Sequence, residues 1–288
     1  MKTLIFGAKG NLGSELTRAF VAAGYEVVGL DRAEIDVTDA PVIRERIFSE
    51  KPDVLINATA WNDVDGAENP ENHTKVFALN AEAPGTMAAA ANEIGAVFVH
   101  YSTDYVFGGT KTEGYKESDQ PDPISVYGES KAAGERAVLD AGGRVYLART
   151  SKIFGPTGIS AAAKPSFVSI MVRLAASKPE LSIVDEEVGM PTYTRDVAEA
   201  TVRLVAENGG YKPGIYHLVN EGSGVTWYGF AQEFFGILGT TTPRVPVASN
   251  LFPKPAKRPK FAALRNTKFP PLRPRISALK AFFEEFPS

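Results

Sequence analysis

The chain has 288 residues, 44% of them hydrophobic and 23% charged, a balance ordinary for a soluble globular protein with one generous domain or two modest ones. A formal net charge of -3 and a pI near 5.8 provide no basic field, which argues against nucleic acid or an anionic membrane as partner and for a small, diffusible substrate. Cysteine is absent and the 3 histidines show no close ligand spacing, so disulfides and thiolate chemistry are excluded and no metal is expected.

The N-terminus enters at once an apolar run, Thr3 to Phe6, far shorter than a secretory segment. No apolar stretch approaches the roughly 20 residues that span a bilayer, so a cytoplasmic location is the expectation. A helical pattern then covers Leu12 to Ala23, followed by a strand at Glu26 to Leu30 and a helix at Pro41 to Ser49. The alternation continues with strands at Val54 to Asn57, Ala96 to Ser102 and Arg144 to Ala148, separated by helices at Thr74 to Ile94 and Tyr127 to Ala141. Runs this apolar suit strands covered on both faces, which predicts an α/β fold with a Rossmann-type doubly wound parallel sheet. After Thr150 the rhythm breaks at Gly155, Pro156 and Gly158, and helices follow at Ser166 to Ser177 and Thr194 to Ala206, then a strand at Gly214 to Val219. Ser249 to Arg275 is too rich in proline for a regular element and reads as an ordered wrap before a terminal helix at Ile276 to Phe283. The expected division is a dinucleotide-binding domain at 1–155 with a return segment near 193–219, and a smaller substrate-binding domain from 156–192 and 220–288.

Gly7-Ala8-Lys9-Gly10-Asn11-Leu12-Gly13 lies between the first strand and the first helix. Glycines there permit a tight turn and let backbone N–H groups and a helix N-terminus approach a pyrophosphate, so NAD or NADP is the expected cofactor. The second strand ends in Leu30-Asp31-Arg32, where two opposed charges meet the adenosine ribose. Asp31 suits the free 2′-hydroxyl of NAD, whereas Arg32, helped by Lys9, suits the 2′-phosphate of NADP and tips the balance toward it. Asp36 and Val37 either flank the adenine or open the next helix.

Tyr127-Gly128-Glu129-Ser130-Lys131 begins a helical stretch, so Tyr127 and Lys131 lie one turn apart on one face. A ketone accepting hydride needs a proton on oxygen, and an ammonium beside a phenol pulls its pKa toward neutrality. Ser102-Thr103-Asp104-Tyr105-Val106-Phe107 falls at the carboxyl end of a strand, where open α/β sheets bind ligands; Thr103 offers a hydroxyl to a substrate oxygen, or ends the strand in a turn.

These segments together resemble an extended short-chain dehydrogenase/reductase, specifically the dTDP-4-dehydrorhamnose reductase family. Asn57-Ala58-Thr59-Ala60, Arg149-Thr150-Ser151, Gly189 to Thr194, Arg258-Pro259 and Leu264 extend the resemblance over essentially the whole chain. It implies a catalytic set of Thr103, Tyr127 and Lys131 that reduces C4 of a nucleotide-linked 4-keto-6-deoxy sugar, with NADPH or NADH and possible assembly as a homodimer. By the same resemblance Asn57, Ala58, Thr59 and Ala60 run beneath the cofactor with Tyr127 and Lys131, and Val64, Asp65, Thr103, Asp104 and Tyr105 face the sugar. The chain departs from the family on the substrate side: Lys152 stands where an aromatic wall is usual, Ala262 where a serine is, and Glu186-Glu187 where Asp-Gln is. Two other readings stay open, a reductase of a different ketosugar or ketone, and a cofactor-binding regulatory subunit without turnover.

Overall fold

The computed structural model describes residues 1–206 and 210–286. Five parallel strands alternate with helices: β1 (Lys2–Phe6), α1 (Asn11–Ala22), β2 (Glu26–Leu30), α2 (Ala40–Glu50), β3 (Val54–Asn57), α3 (His73–Phe77), α4 (Ala83–Glu93), β4 (Val97–Thr103), α5 (Val126–Asp140) and β5 (Arg144–Thr150). Later come β6 (Ile153–Phe154), α6 (Phe167–Ala175), β7 (Leu181–Val184), β8 (Thr192–Tyr193), α7 (Thr194–Val205) and β9 (Gly214–His217). The remainder is β10 (Asn220–Glu221), α8 (Trp227–Leu238), β11 (Arg244–Val247), β12 (Leu272–Pro274) and α9 (Arg275–Glu285).

The main sheet has 6 strands in the order β2-β1-β3-β4-β5-β9, all paired in parallel. The order reverses between β1 and β3, and the carboxyl ends of open α/β strands form a ligand crevice at such a switch point. Register brings Phe6 level with Asn57, and Asn57 level with His100, so the residues just beyond β1, β3 and β4 share one edge. One face of the sheet packs Ile5, Val99 and Ala148 against Leu16 of α1 and Val197 of α7. The other packs Leu4, Phe6, Leu55 and Phe98 against Ile43 of α2 and Met87 of α4. Doubly covered strands are buried on both faces, which is why they read as uninterrupted apolar runs.

The helical pattern at Thr74 to Ile94 is interrupted: between α3 and α4 the chain makes a π turn, Ala78–Glu82, ahead of Pro84 in the first turn of α4. This turn presses Asn80 onto α5, where a Cβ on Gly134 would stand 2.0 Å from the Asn80 carbonyl oxygen. Asn80 also donates to Ser130 Oγ at 2.9 Å, so α5 is locked in depth and rotation before Tyr127 and Lys131 are considered.

A separate cluster of Phe154, Val168, Ile183, Phe230, Phe234, Leu279 and Phe282 joins α6, α8 and α9 beyond the sheet. Helix α8 and strands β7 and β11 add to the expected elements; in α8 Phe230, Ala231, Phe234 and Phe235 recur at helical spacing on one buried face, with Gln232 and Gly236 exposed. Within the proline-rich wrap, Leu272–Pro274 forms the short strand β12 against β10, so that stretch is less irregular than its prolines suggest. Residues 207–209 of the expected return segment and 287–288 of the expected substrate-binding stretch lie outside the described residues.

Candidate active site

The glycine loop is shaped by contacts that only glycine allows. Gly7 has φ +80, and a Cβ there would stand 2.9 Å from the Ala58 backbone. A Cβ on Gly13 would lie 2.0 Å from the Gly7 carbonyl oxygen, so α1 packs directly on the turn. A Cβ on Gly10, the N-cap of α1, meets only the Gly7 oxygen at 3.4 Å, and no side chain caps this helix. By contrast α2, α5, α6 and α8 carry side-chain caps. An uncapped N-terminus behind a glycine cradle fits a pyrophosphate, so the residues present suit a dinucleotide.

At the adenosine end, Asp31 accepts a hydrogen bond from Ser160 Oγ at 2.7 Å, and its own N–H donates to Glu34 Oε2 at 2.8 Å. Lys9 is ion-paired to Glu34, and Arg32 is exposed. The loop carrying Ser160 crosses the glycine loop: Ser160 N–H donates to the Lys9 carbonyl at 2.8 Å, Gly158 N–H to Asn11 Oδ1 at 2.9 Å, and Asn11 Nδ2 to the Lys164 carbonyl at 2.9 Å. Glu34 and Ser160 were not singled out from the sequence; neither carries a motif. Asp36 is exposed and accepts from Thr38 N–H and Oγ1 at 2.9 and 2.7 Å, while Asp39 caps α2; Val37 leans on the core. The helix-opening role expected as the alternative for Asp36 thus falls to Asp39, and Asp36 holds the turn just before it.

Beyond β3, Asn57 is fully buried and Ala58, Thr59 and Ala60 line the crevice edge half-buried. Asn57 Oδ1 accepts from Thr59 N–H at 3.0 Å and Thr59 Oγ1 at 2.6 Å, and its Nδ2 faces His100 Nδ1 at 3.2 Å.

Thr103 ends β4 and opens a single 3-10 turn, Asp104–Val106, by accepting from Tyr105 N–H at 3.2 Å, which is the strand-ending turn offered as one of its two readings. That turn rests on α5 because a Cβ on Gly128 would stand 2.3 Å from the Tyr105 carbonyl oxygen. Ser125 and Glu68 fix the helix start by accepting from Gly128 N–H at 3.2 Å and Val126 N–H at 2.9 Å. Tyr127 is thereby delivered to Thr103. Burial raises the Tyr127 phenol above its ordinary range, a hydrogen bond with Thr103 opposes that, and the Asp104 charge adds to it. The expected lowering by Lys131 is not what this geometry gives. Lys131 is buried, points its Nζ at the Tyr101 carbonyl at 2.7 Å, and lies 3.5 Å from His100 Nε2; burial pulls it down to about 8. The neighbouring Ser102 hydroxyl is buried without a hydrogen-bond partner among the described residues, an open polar position at the strand end.

Among the residues expected to face the sugar, Asp104 accepts from Thr103 Oγ1 at 3.0 Å and Ser151 Oγ at 2.5 Å, and burial lifts its carboxyl to about 6. Tyr105 stands edge-on to Tyr127 at 5.7 Å, and Val64 packs in the same apolar cluster. Asp65 is occupied otherwise: Arg258 binds both its oxygens, at 3.0 and 2.7 Å, and Ala256 N–H adds a third bond at 3.2 Å, latching the C-terminal wrap over the site. Lys152, with φ 43, donates to the Glu187 carbonyl at 2.5 Å, and its ammonium lies 4.1 Å from the Trp227 ring centroid. Burial brings it down to about 8, against the pull of Asp104 and Glu187. Trp227, Glu187 and Arg258 complete this wall. The first escaped sequence reading because α8 did, and the others had only the resemblance to mark them. Ala262 is buried and its N–H donates to the Val188 carbonyl at 2.9 Å, so it is packing rather than lining. Among the described residues no group of His, Cys, Asp or Glu is placed to hold a metal ion.

A glycine cradle at the switch point facing Thr103, Tyr127 and Lys131 defines an extended short-chain dehydrogenase/reductase fold. The chain belongs to the dTDP-4-dehydrorhamnose reductase family, the family model described as the RmlD substrate binding domain matching residues 1–278. It is 38% identical to a dTDP-4-dehydrorhamnose reductase of Burkholderia thailandensis, with 92% of this chain and 91% of that one covered. It is 36% identical to a probable dTDP-4,6-dihydroxy-2-methyloxan-3-one 4-ketoreductase of Streptomyces antibioticus, with 99% and 95% covered. The crystal structure of a dTDP-4-dehydrorhamnose reductase from Bacillus anthracis in complex with NADP superposes with a TM-score of 0.91 at 30% identity, covering 99% of both chains.

Proposed function

We propose that this chain reduces the C4 ketone of a dTDP-linked 4-keto-6-deoxy sugar, dTDP-4-dehydro-L-rhamnose to dTDP-L-rhamnose, using NADPH or NADH. The observation that carries the reading is the seating of Tyr127 on α5 at the carboxyl edge of the sheet, with Gly128 packed on the Tyr105 carbonyl just beyond Thr103 and the Tyr127 ring 5.7 Å from that of Tyr105, together with an uncapped glycine cradle. The names of the family relatives and the NADP-bound structural neighbour support it.

Gly7, Lys9, Gly10, Asn11, Leu12 and Gly13 would hold the pyrophosphate, with Asp31, Arg32, Asp36 and Val37 near the adenosine and Asn57 to Ala60 beneath. When bound, the nicotinamide supplies a hydride to the carbonyl carbon. Thr103 orients the carbonyl oxygen and the phenol, and Tyr127 gives that oxygen its proton. Lys131, one turn along α5, would hold the nicotinamide ribose and serve as the proton reserve behind the phenol. Asp104, Tyr105 and Val64 bound the sugar, and Asp65 acts through its Arg258 latch. In this reading 1–155 with 193–219 binds the dinucleotide, 156–192 and 220–288 bind the sugar nucleotide, and the enzyme works as a cytoplasmic homodimer.

The test is oxidation of NADPH and NADH by purified protein against a panel of dTDP-linked ketosugars. Turnover of the 4-dehydrorhamnose substrate supports the proposal; no oxidation with any member overturns it. One observation favours a second reading, a different dTDP ketosugar: the Lys152 ammonium stacked on Trp227 makes a charged wall where relatives usually have an aromatic one. Preference for another member of the panel would establish it.

A further inference from the structure

His100 takes no part in the mechanism above, yet it is fully buried at the centre of the sheet and touches Lys131. Its protonation pattern follows from its neighbours. The Asn57 atom 3.0 Å from Thr59 N–H must be an acceptor, and Thr59 Oγ1 donates to the same atom at 2.6 Å, so the carboxamide oxygen is fixed there. The other amide atom is then NH2, and it donates to His100 Nδ1 at 3.2 Å. An imidazole accepting at Nδ1 carries its proton on Nε2 when neutral. Burial and the nearby Lys131 charge keep it neutral, holding its pKa well below the ordinary value. The Nε2–H bond therefore points at Lys131 Nζ, 3.5 Å away, a position that suits an amine lone pair and opposes an ammonium.

We propose that His100 is a positioning residue for the reduction: clamped by Thr59 and Asn57 in its Nε2–H form, it aims a donor at Lys131 and favours the uncharged amine. The inference rests on the reductase reading for its purpose but not for its geometry. The other groups facing Lys131 are accounted for. Tyr127 and Glu135 lie one turn to either side on α5, and β4 supplies the Tyr101 carbonyl at 2.7 Å. Glu135 favours the ammonium, but its carboxylate is engaged by Arg149 at 2.8 and 2.6 Å. A lysine balanced between these influences can exchange a proton near neutral pH, which a fully hydrated ammonium does poorly. The clamp also ties that balance to Asn57 to Ala60, the stretch proposed to run beneath the cofactor.

Nitrogen NMR of protein labelled in its 3 histidines, assigned by difference with His100→Gln, reads the tautomer without turnover. A protonated Nε2 and bare Nδ1 are expected, and a protonated Nδ1 overturns the clamp whatever the enzyme does. In kinetics, His100→Gln replaces the donor with a side chain whose oxygen can accept from the ammonium, so the alkaline limb of kcat/KM should rise by roughly one pH unit. A folded variant with lower kcat and an unmoved limb would reduce His100 to packing. Should Tyr127→Phe retain full turnover, the reductase reading fails while the NMR result still stands.

Discussion

The two sides of the crevice are built by different means. On the hydride side, backbone meets backbone: hypothetical Cβ atoms on Gly13, Gly128 and Gly134 would stand 2.0, 2.3 and 2.0 Å from carbonyl oxygens of Gly7, Tyr105 and Asn80. On the side proposed to face the sugar, side chains meet side chains: Lys152 on Trp227 and Arg258 on Asp65. Backbone contacts of the first kind leave no room for substitution, so the placement of Tyr127 and Lys131 is rigidly set. Contacts of the second kind can be exchanged in pairs while the chain path survives. Substrate choice can therefore change on this scaffold while carbonyl reduction does not, and the contact of Lys152 with Trp227 is of the exchangeable kind.

The comparison would break most visibly at Tyr127. Tyr127→Phe keeps the ring and its contact with Tyr105, so turnover should fall at least about 100-fold while the dissociation constant for NADPH stays within about twofold. Retained turnover, measured by cofactor oxidation, would remove the hydride side from the chemistry. Arg258→Ala probes the other side. Releasing the Asp65 latch should raise KM for the sugar nucleotide about tenfold and leave kcat within about twofold, because the Arg258 hydrogen bonds among the described residues go to Asp65 and the Ala256 carbonyl. A kcat loss as large as the KM change would show that the two sides are not separable.

The same contrast explains what could be read from the residues alone. Doubly covered strands and glycine turns announce themselves by composition and spacing, so β1 to β5, the glycine turn between β1 and α1 and the helix that carries Tyr127 and Lys131 are legible in the sequence. The π turn before Pro84 was hidden inside a helical pattern, since widening a turn by one residue leaves apolar spacing nearly unchanged. Helix α8 carries a legible signal, Phe230, Ala231, Phe234 and Phe235 at helical spacing, so its absence from the expected elements has no physical cause in the sequence. The partners of Lys152 and Asp65 lie 75 and 193 residues away, at Trp227 and Arg258, and pairings across such distances leave no local signature.

Cofactor choice offers a smaller effect. Asp31 is engaged by Ser160 and Lys9 by Glu34, which leaves the exposed Arg32 to meet a 2′-phosphate. Arg32→Ala should weaken NADPH binding about fivefold and leave NADH unchanged, as followed by fluorescence titration. Equal loss of both would place Arg32 outside the phosphate site.

The smallest expected effect concerns stability at Asp104, where the two sides touch through Thr103 and Ser151. Its carboxyl, raised from 3.8 to about 6 by burial, binds a proton more tightly in the folded than in the unfolded chain. The protonated form therefore stabilises the fold fully below pH 3.8, and that contribution is lost as pH rises through about 6. Asp104→Asn is neutral at every pH and escapes the loss. The Tm of the variant minus that of the parent should rise by a few degrees between about pH 4 and pH 7, consistent with roughly 2–4 °C per kcal/mol for a chain of this size. Lys152, lowered to about 8, titrates above that window and leaves the slope to Asp104. A difference that is flat or falls with pH would mean that Asp104 is already ionised at acid pH, held by Ser151 and the Lys152 charge. The two sides would then be joined by an ion pair across the crevice rather than by a shared hydrogen bond.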